Sequence, residues 1–288
     1  MNKEQFVKHY AVERKNSISL KWDLLQQRFG DPDLIPMWVA DMDFRTPECI
    51  TDALHRRVAH GAYGYAYIPD SYYEACFGWM ENRYGFRPRK EMLRLTNGIV
   101  AAMYYFVHAF TEPGDSIIIN TPVYYPFAGA IRDCGRKVVS CDMEYDHGHF
   151  SIDPDKFEKD IVEHDVKMYF LCSPHNPCGR VWTEEELAQK APKIIVCDLE
   201  GTYLPMLDLR NIIDVEHPTR EPVVLNGKAP VNYDVYDFVQ VKCRLAVDYG
   251  EWFGEKYSGL FRLNLATTPE TIKTVVDHIV DAYNQIAG

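Results

Sequence analysis

Between residues 92 and 173, apolar stretches and polar breaks alternate at the spacing of strands followed by helices. Residues 92–96 predict a short strand, Asn97-Gly98 a turn, and the apolar run 99–110 a buried helix. A Glu-Pro-Gly-Asp turn at 112–115 precedes 116–120, whose unbroken Ile-Ile-Ile centre reads as a strand covered on both faces. Residues 126–134 predict a helix, 137–141 a strand, 153–164 an amphipathic helix and 167–172 a further buried strand. This alternation gives right-handed βαβ units and a mainly parallel α/β sheet. Ligands of such sheets sit at the carboxyl ends of the strands.

After Lys190 the pattern changes. Two strands, 194–197 and 202–207, flank Glu200-Gly201, and 216–232 is rich in Pro, Asn and charge, as a surface loop would be. A helix over 233–243 and a strand over 259–266 follow. Thr268 then caps a last helix with Pro269 at its first position, and Ile272, Val275, Val276, Ile279 and Tyr283 form its apolar stripe. These elements predict a smaller α+β domain.

Composition narrows the function. The 288 residues carry a net charge of −11, which disfavours non-specific binding to nucleic acid or to an anionic membrane. The N-terminal residues are charged and show no secretory apolar core, and the longest apolar run is too short to span a bilayer. Eight scattered cysteines without a CxxC pair read as reduced thiols of a cytoplasmic protein. His147-Gly148-His149 lies in an Asp/Gly-rich turn and reads as a solvated loop, so no metal site is expected.

Three strand ends carry candidate chemistry. Gly98-Ile99-Val100 opens a helix, where free N–H groups suit a phosphate, although glycine there is also an ordinary turn former. Tyr124 and Tyr125 follow a buried strand and could stack on a flat ring, or simply pack. Asn176-Pro177 follows another strand and is either functional or a turn.

Taken in order along the chain, these segments and several others resemble the fold-type-I pyridoxal-phosphate enzymes of the aspartate aminotransferase superfamily. The similarity is greatest to the carbon–sulfur β-lyase branch, of cystathionine β-lyase and cystalysin type. The residues that carry it are Ser19-Leu20-Lys21-Trp22-Asp23, Val39-Ala40-Asp41-Met42-Asp43-Phe44, Gly64-Tyr65, Gly98-Ile99-Val100 and 121–127. Residues 172–177 and 179–182, Glu200-Gly201-Thr202-Tyr203, Leu207-Asp208-Leu209-Arg210 and 261–266 complete the set.

The resemblance implies a pyridoxal-phosphate-transferase-like large domain, here shortened, over 48–189, and a small domain made of 1–47 with 190–288. It implies that Gly98, Ile99 and Val100 hold the cofactor phosphate, that Tyr124 stacks on its ring, and that Asn176 bonds the ring's phenolic oxygen. Arg262 would clamp the α-carboxylate of a small amino-acid substrate, with help from the Ala40 N–H, and Tyr125 would face that substrate. Tyr65 would reach the phosphate of a neighbouring subunit in a homodimer.

Two elements of the pattern are not found. None of the fifteen lysines lies in the Ser-x-[Ser/Thr]-Lys-aromatic context of the lysine that links to the cofactor. No strand end carries the Asp-Glu context of the aspartate that pairs with the pyridinium nitrogen. Asp198-Leu199-Glu200 mimics it but belongs to the C-terminal hairpin. Lys228, in Asn226-Gly227-Lys228-Ala229-Pro230, is the nearest lysine candidate and reads as a surface-loop residue. The interval that should hold both elements collapses at the Gln189–Lys190 junction, as an internal deletion would make it. Only three or four parallel strands should remain, leaving apolar surface uncovered. No catalytic residue is therefore assigned. By family the chain is expected to be a pyridoxal-phosphate-dependent carbon–sulfur β-lyase whose turnover is impaired. An aminotransferase and a non-catalytic remnant that only binds ligand stand as alternatives.

Overall fold

A computed structural model describes residues 1–172, 174–179, 195–196 and 203–287. In chain order the elements are α1 (Lys3–Tyr10), α2 (Leu20–Asp23), α3 (Leu25–Phe29), β1 (Ile35–Pro36), α4 (Glu48–His60), α5 (Asp70–Tyr84), α6 (Ile99–Phe110), β2 (Ser116–Thr121), α7 (Pro126–Asp133), β3 (Lys137–Asp142), β4 (Glu144–Asp146) and β5 (His149–Ser151). They continue with α8 (Pro154–Glu163), β6 (Val166–Phe170), β7 (Ile195–Val196), β8 (Met206–Asp208), α9 (Tyr233–Tyr236), β9 (Leu245–Ala246), β10 (Asp248–Tyr249), β11 (Leu260–Arg262) and α10 (Pro269–Ala287). They fall into two units, a larger one of residues 1–45 with 106–288 and a smaller one of residues 46–105.

The larger unit contains a parallel sheet in the order β3-β2-β6. All six residues of β2 are buried, which fits its unbroken Ile-Ile-Ile centre: it is the central strand. Ile118, Val139 and Cys141 form a small core closed by Phe157 and Ile161 of α8. That helix starts where Asp153 accepts from the N–H groups of Asp155 and Lys156 at 3.0 and 3.1 Å, an N-cap written in the sequence.

The main core lies elsewhere in this unit. Leu25, Phe29, Met37 and Trp38 from the N-terminal segment pack with Leu207, Phe238, Tyr249, Phe261, Val275 and Ile279. The antiparallel sheet β10-β11-β8-β7 and the parallel pair β1-β9 frame it. Buried Val275, Val276, Ile279 and Tyr283 place the expected stripe of α10 against this core.

Gly250 joins β10 to the turn that carries Trp252. A Cβ at Gly250 would run into the Tyr257 carbonyl oxygen and lie 2.9 Å from that of Leu260, both backbone atoms. Gly250→Ala is therefore expected to destabilise the protein by about 1–3 kcal/mol in urea denaturation, and a loss below about 0.5 kcal/mol would contradict this packing.

Four expected elements differ from what forms, one of them the strand 202–207, which among the described residues is a strand only over β8. Residues 92–96 make no strand: a 3₁₀ turn covers Lys90–Met92, and irregular chain follows. A strand needs a neighbour for its ladder groups, and among the described residues none pairs with this segment. The expected helix 233–243 is α-helical only over α9. It then widens into a π-turn, Asp237–Lys242, in which the Cys243 N–H donates five residues back to Phe238 at 2.9 Å. The expected strand 259–266 keeps a regular ladder only over β11. Beyond it the Leu263, Asn264 and Leu265 N–H groups donate in turn to Pro205, Met37 and Tyr203, so one ladder gives way to two partners.

His147 and Gly148 form the tip between β4 and β5, and no metal-binding cluster occurs among the described residues. Cys134, Cys141 and Cys243 are buried free thiols, and Cys49 is exposed. No helix among the described residues is long and apolar enough to cross a membrane. Residues 181–189, the Gln189–Lys190 junction, and Asp198-Leu199-Glu200 with Gly201-Thr202 lie outside the described residues.

In the smaller unit, α4 and α5 end in left-handed glycines, Gly61 and Gly85. Gly98 takes φ +107° immediately before α6, a backbone that a side chain would strain. Tyr65 lies on the irregular segment between α4 and α5 with its side chain fully exposed.

Candidate active site

The larger unit holds a pocket of about 280 Å³ at the carboxyl-end side of its strands, near the lower limit for small-molecule sites. Leu20, Arg28, Trp38, Ala40, Tyr124, Tyr125, Asn176, Lys228, Asp248, Trp252 and Arg262 line it, with Phe29, Val39 and Asn226. Five of the expected site residues, Ala40, Tyr124, Tyr125, Asn176 and Arg262, thus share one cavity. The other four, Tyr65, Gly98, Ile99 and Val100, belong to the smaller unit described above.

The placement of each follows from its element. β2 ends at Thr121, and the chain passes through the Thr121–Pro122 bond, which is cis, to set Tyr124 and Tyr125 before α7. Their rings lie 5.0 Å apart and tilted by 55°, so they present different faces. β6 ends at Phe170 and leads to Asn176. The intervening turn is held by His175, whose Nε2 lies 2.8 Å from the Pro122 carbonyl, and burial lowers that imidazole's pKa. The two strand ends are thereby tied together.

Arg262 closes β11 and is almost wholly buried. Its Nη1 donates to Asn176 Oδ1 at 2.8 Å and its Nη2 to the Trp38 carbonyl at 2.9 Å. Nη2 also forms a close ion pair with Asp248. Nε is buried without a hydrogen-bond partner. With its oxygen engaged by Arg262, the Asn176 amide presents Nδ2 as a donor. Next to Arg262, Asn264 donates to the Val39 carbonyl and, at 2.9 Å, to that of Asp41, which fixes the backbone around Ala40.

The lining residues that the sequence did not single out include Arg28, Asp248 and Trp252, and it did not mark Lys228 as a pocket residue. Lys228 is no ordinary surface-loop side chain. Its ammonium lies 3.7 Å from the centre of the Trp252 ring, 5.0 Å from that of Tyr125 and 3.7 Å from Asp248 Oδ1. Burial lowers its pKa, and Asp248 opposes that shift. Trp252 Nε1 donates to the Ala229 carbonyl at 3.1 Å, which holds the ring against the Lys228 loop. Burial likewise raises the Tyr125 pKa, with Asp248 adding to the effect. A Gly-Lys dipeptide between Asn226 and Ala229 carries no local signal of this role, because the pocket closes only when the 225–231 turn meets β10.

Ring faces beside a buried guanidinium with an unpaired Nε, and an amide donor between them, suit a flat heteroaromatic ring lying next to a carboxylate. The donor set therefore fits the ring and carboxylate portions of a pyridoxal-phosphate complex.

The comparisons with known proteins agree. The family model for aminotransferase class I and II matches residues 32–199. The chain is 41% identical over 175 residues to the cystathionine beta-lyase PatB of Bacillus subtilis, covering 61% of this chain and 45% of that protein. It is 31% identical over 192 residues to the protein MalY of Escherichia coli, covering 66% and 48%. The chain thus spans about half the length of the curated relatives it matches. A pyridoxal-phosphate-bound putative aminotransferase from Clostridium difficile superposes with a TM-score of 0.82 at 22% identity, covering 96% of this chain and 99% of that one. Cystalysin from Treponema denticola superposes with a TM-score of 0.79 at 22% identity, covering 95% and 98%. These likenesses establish the fold, and the match over more than half of the sequence establishes the rest: the chain belongs to the aminotransferase class I and II family.

Proposed function

We propose that this pocket binds pyridoxal phosphate together with the α-carboxylate of a small sulfur-containing amino acid. The reading places the chain by descent among the carbon–sulfur β-lyases, with cystathionine or cysteine as the substrate class and a thiol, pyruvate and ammonia as products. It rests above all on one arrangement: Arg262, Asn176, Tyr124 and Tyr125 converge on one cavity beside Ala40. In this reading Tyr124 supports the ring, Asn176 donates to its phenolic oxygen, and Arg262 and the Ala40 N–H receive the carboxylate. Tyr65, exposed on its segment, is open to a neighbouring subunit of a homodimer. When bound, the cofactor supplies an electron-withdrawing ring that stabilises negative charge at the substrate Cα. What this chain's own residues supply is binding and orientation. The groups that would tether the cofactor and carry the α-proton have no counterpart in its sequence contexts, so the reading includes impaired turnover.

Tyr124→Ala tests the binding half. Loss of the aromatic platform is expected to weaken pyridoxal-phosphate binding by about 1–3 kcal/mol, measured by tryptophan-fluorescence titration. An unchanged affinity would remove Tyr124 from the site.

A further inference from the structure

The arginine expected to receive a ligand's carboxylate already holds one. Asp248 is buried, and one of its oxygens pairs with Arg262 Nη2. Its other oxygen lies 3.7 Å from Lys228 Nζ. Arg28, whose Nε is also buried without a hydrogen-bond partner, lines the same cavity. Three cations thus line a cavity with a single carboxylate, two of them paired with it, and no other acidic residue lines the pocket among the described residues. A chain of net charge −11 has concentrated positive charge here.

We propose that Asp248 is a specificity-determining residue: an internal carboxylate that occupies the guanidinium until a ligand's carboxylate displaces it, with Lys228 taking over its charge. The inference rests on the reading of Arg262 as the carboxylate receptor. Two carboxylates cannot share one guanidinium edge without repulsion, so an incoming carboxylate has to compete with Asp248. The second cation makes exchange feasible, because a small rotation hands Asp248 from Arg262 to Lys228 while keeping the buried charge paired. Neutral or weakly anionic ligands gain nothing from this exchange. The pocket is thereby biased toward ligands whose carboxylate is fully charged and placed to contact Arg262 closely.

The test uses benzoate, a carboxylate on a flat ring, and benzamide, its uncharged counterpart. Binding of each to the full chain is measured calorimetrically at constant ionic strength. Asp248→Asn keeps the shape and removes the charge, and is expected to tighten benzoate binding about tenfold or more while leaving benzamide within a factor of about two. Benzoate should also raise the melting temperature of the variant more than that of the unsubstituted protein. Asp248→Ser gives the same comparison if the asparagine variant does not fold. Equal or weaker benzoate binding in the folded variants overturns the inference. Arg262→Met separates the two levels. If it abolishes benzoate binding while Asp248→Asn brings no gain, the competition is wrong and the carboxylate receptor stands. If it changes nothing, both fall.

Discussion

Mixed with pyridoxal phosphate and cystathionine, this chain is expected to release no measurable pyruvate. A fold-type-I lyase uses one lysine twice, first to hold the cofactor covalently and then to carry the α-proton, and the second role alone contributes about 10²–10⁴ in rate. None of the fifteen lysines has the sequence context of that residue. Lys228 is the lysine that lines the pocket among the described residues, and its ammonium is engaged by the Trp252 face and by Asp248. Borohydride reduction of the mixture, followed by peptide mapping, is expected to show substoichiometric label spread over several lysines. A single stoichiometrically labelled lysine, accompanied by pyruvate release, would mean that another residue has taken over both roles.

The second large effect concerns stability. Lys21 is fully buried, and its ammonium lies 2.8 Å from Asp43 Oδ2. Trp22 Nε1 donates to the other Asp43 oxygen at 2.9 Å, and Arg14 stands 3.6 Å from it. Lys21→Met removes the cation and leaves Asp43 buried with partial compensation, at an expected cost of about 3–5 kcal/mol. Adding Asp43→Leu should recover most of this loss, since a buried pair replaced as a whole by apolar groups is often neutral. Urea unfolding monitored by tryptophan fluorescence gives both numbers, provided the slope with denaturant is unchanged. A loss of less than about 1 kcal/mol in the single variant would show that the pair contributes little to the N-terminal packing.

That ion pair also shows what the sequence displayed and what it withheld. Ser19-Leu20-Lys21-Trp22-Asp23 and Asp41-Met42-Asp43 were visible as family motifs, but nothing local says that Lys21 meets Asp43. The meeting depends on a turn of the whole N-terminal segment over the core. By contrast, β2, α6, α7 and α8 were legible in type and nearly in length, because each declares itself by an apolar run or a cap within its own residues. Residues 92–96 have the composition of a strand but no partner among the described residues, and β-structure is a property of pairs. At the pocket, Tyr124, Asn176 and Arg262 stood out through their positions at strand ends and within motifs. Asp248 and Arg28 did not, and Lys228 stood out only as a lysine on a surface loop, because β10 must pair with β11 before Asp248 reaches the Arg262 guanidinium.

The pairing of Ile35 with Leu245 and Pro36 with Ala246 has a consequence for how the chain is made. During vectorial synthesis Leu25, Phe29, Met37 and Trp38 emerge well before their packing partners, which are complete only when the stretch from Leu207 to Tyr283 has left the ribosome. At ordinary elongation rates of about 5–20 residues per second, that wait lasts roughly ten seconds or more. The β2-centred βαβ segment, whose contacts are local, can order in the meantime. Residues translated early are therefore among the last to fold, and a nascent-chain holdase has a long opportunity at the segment that later forms one wall of the pocket.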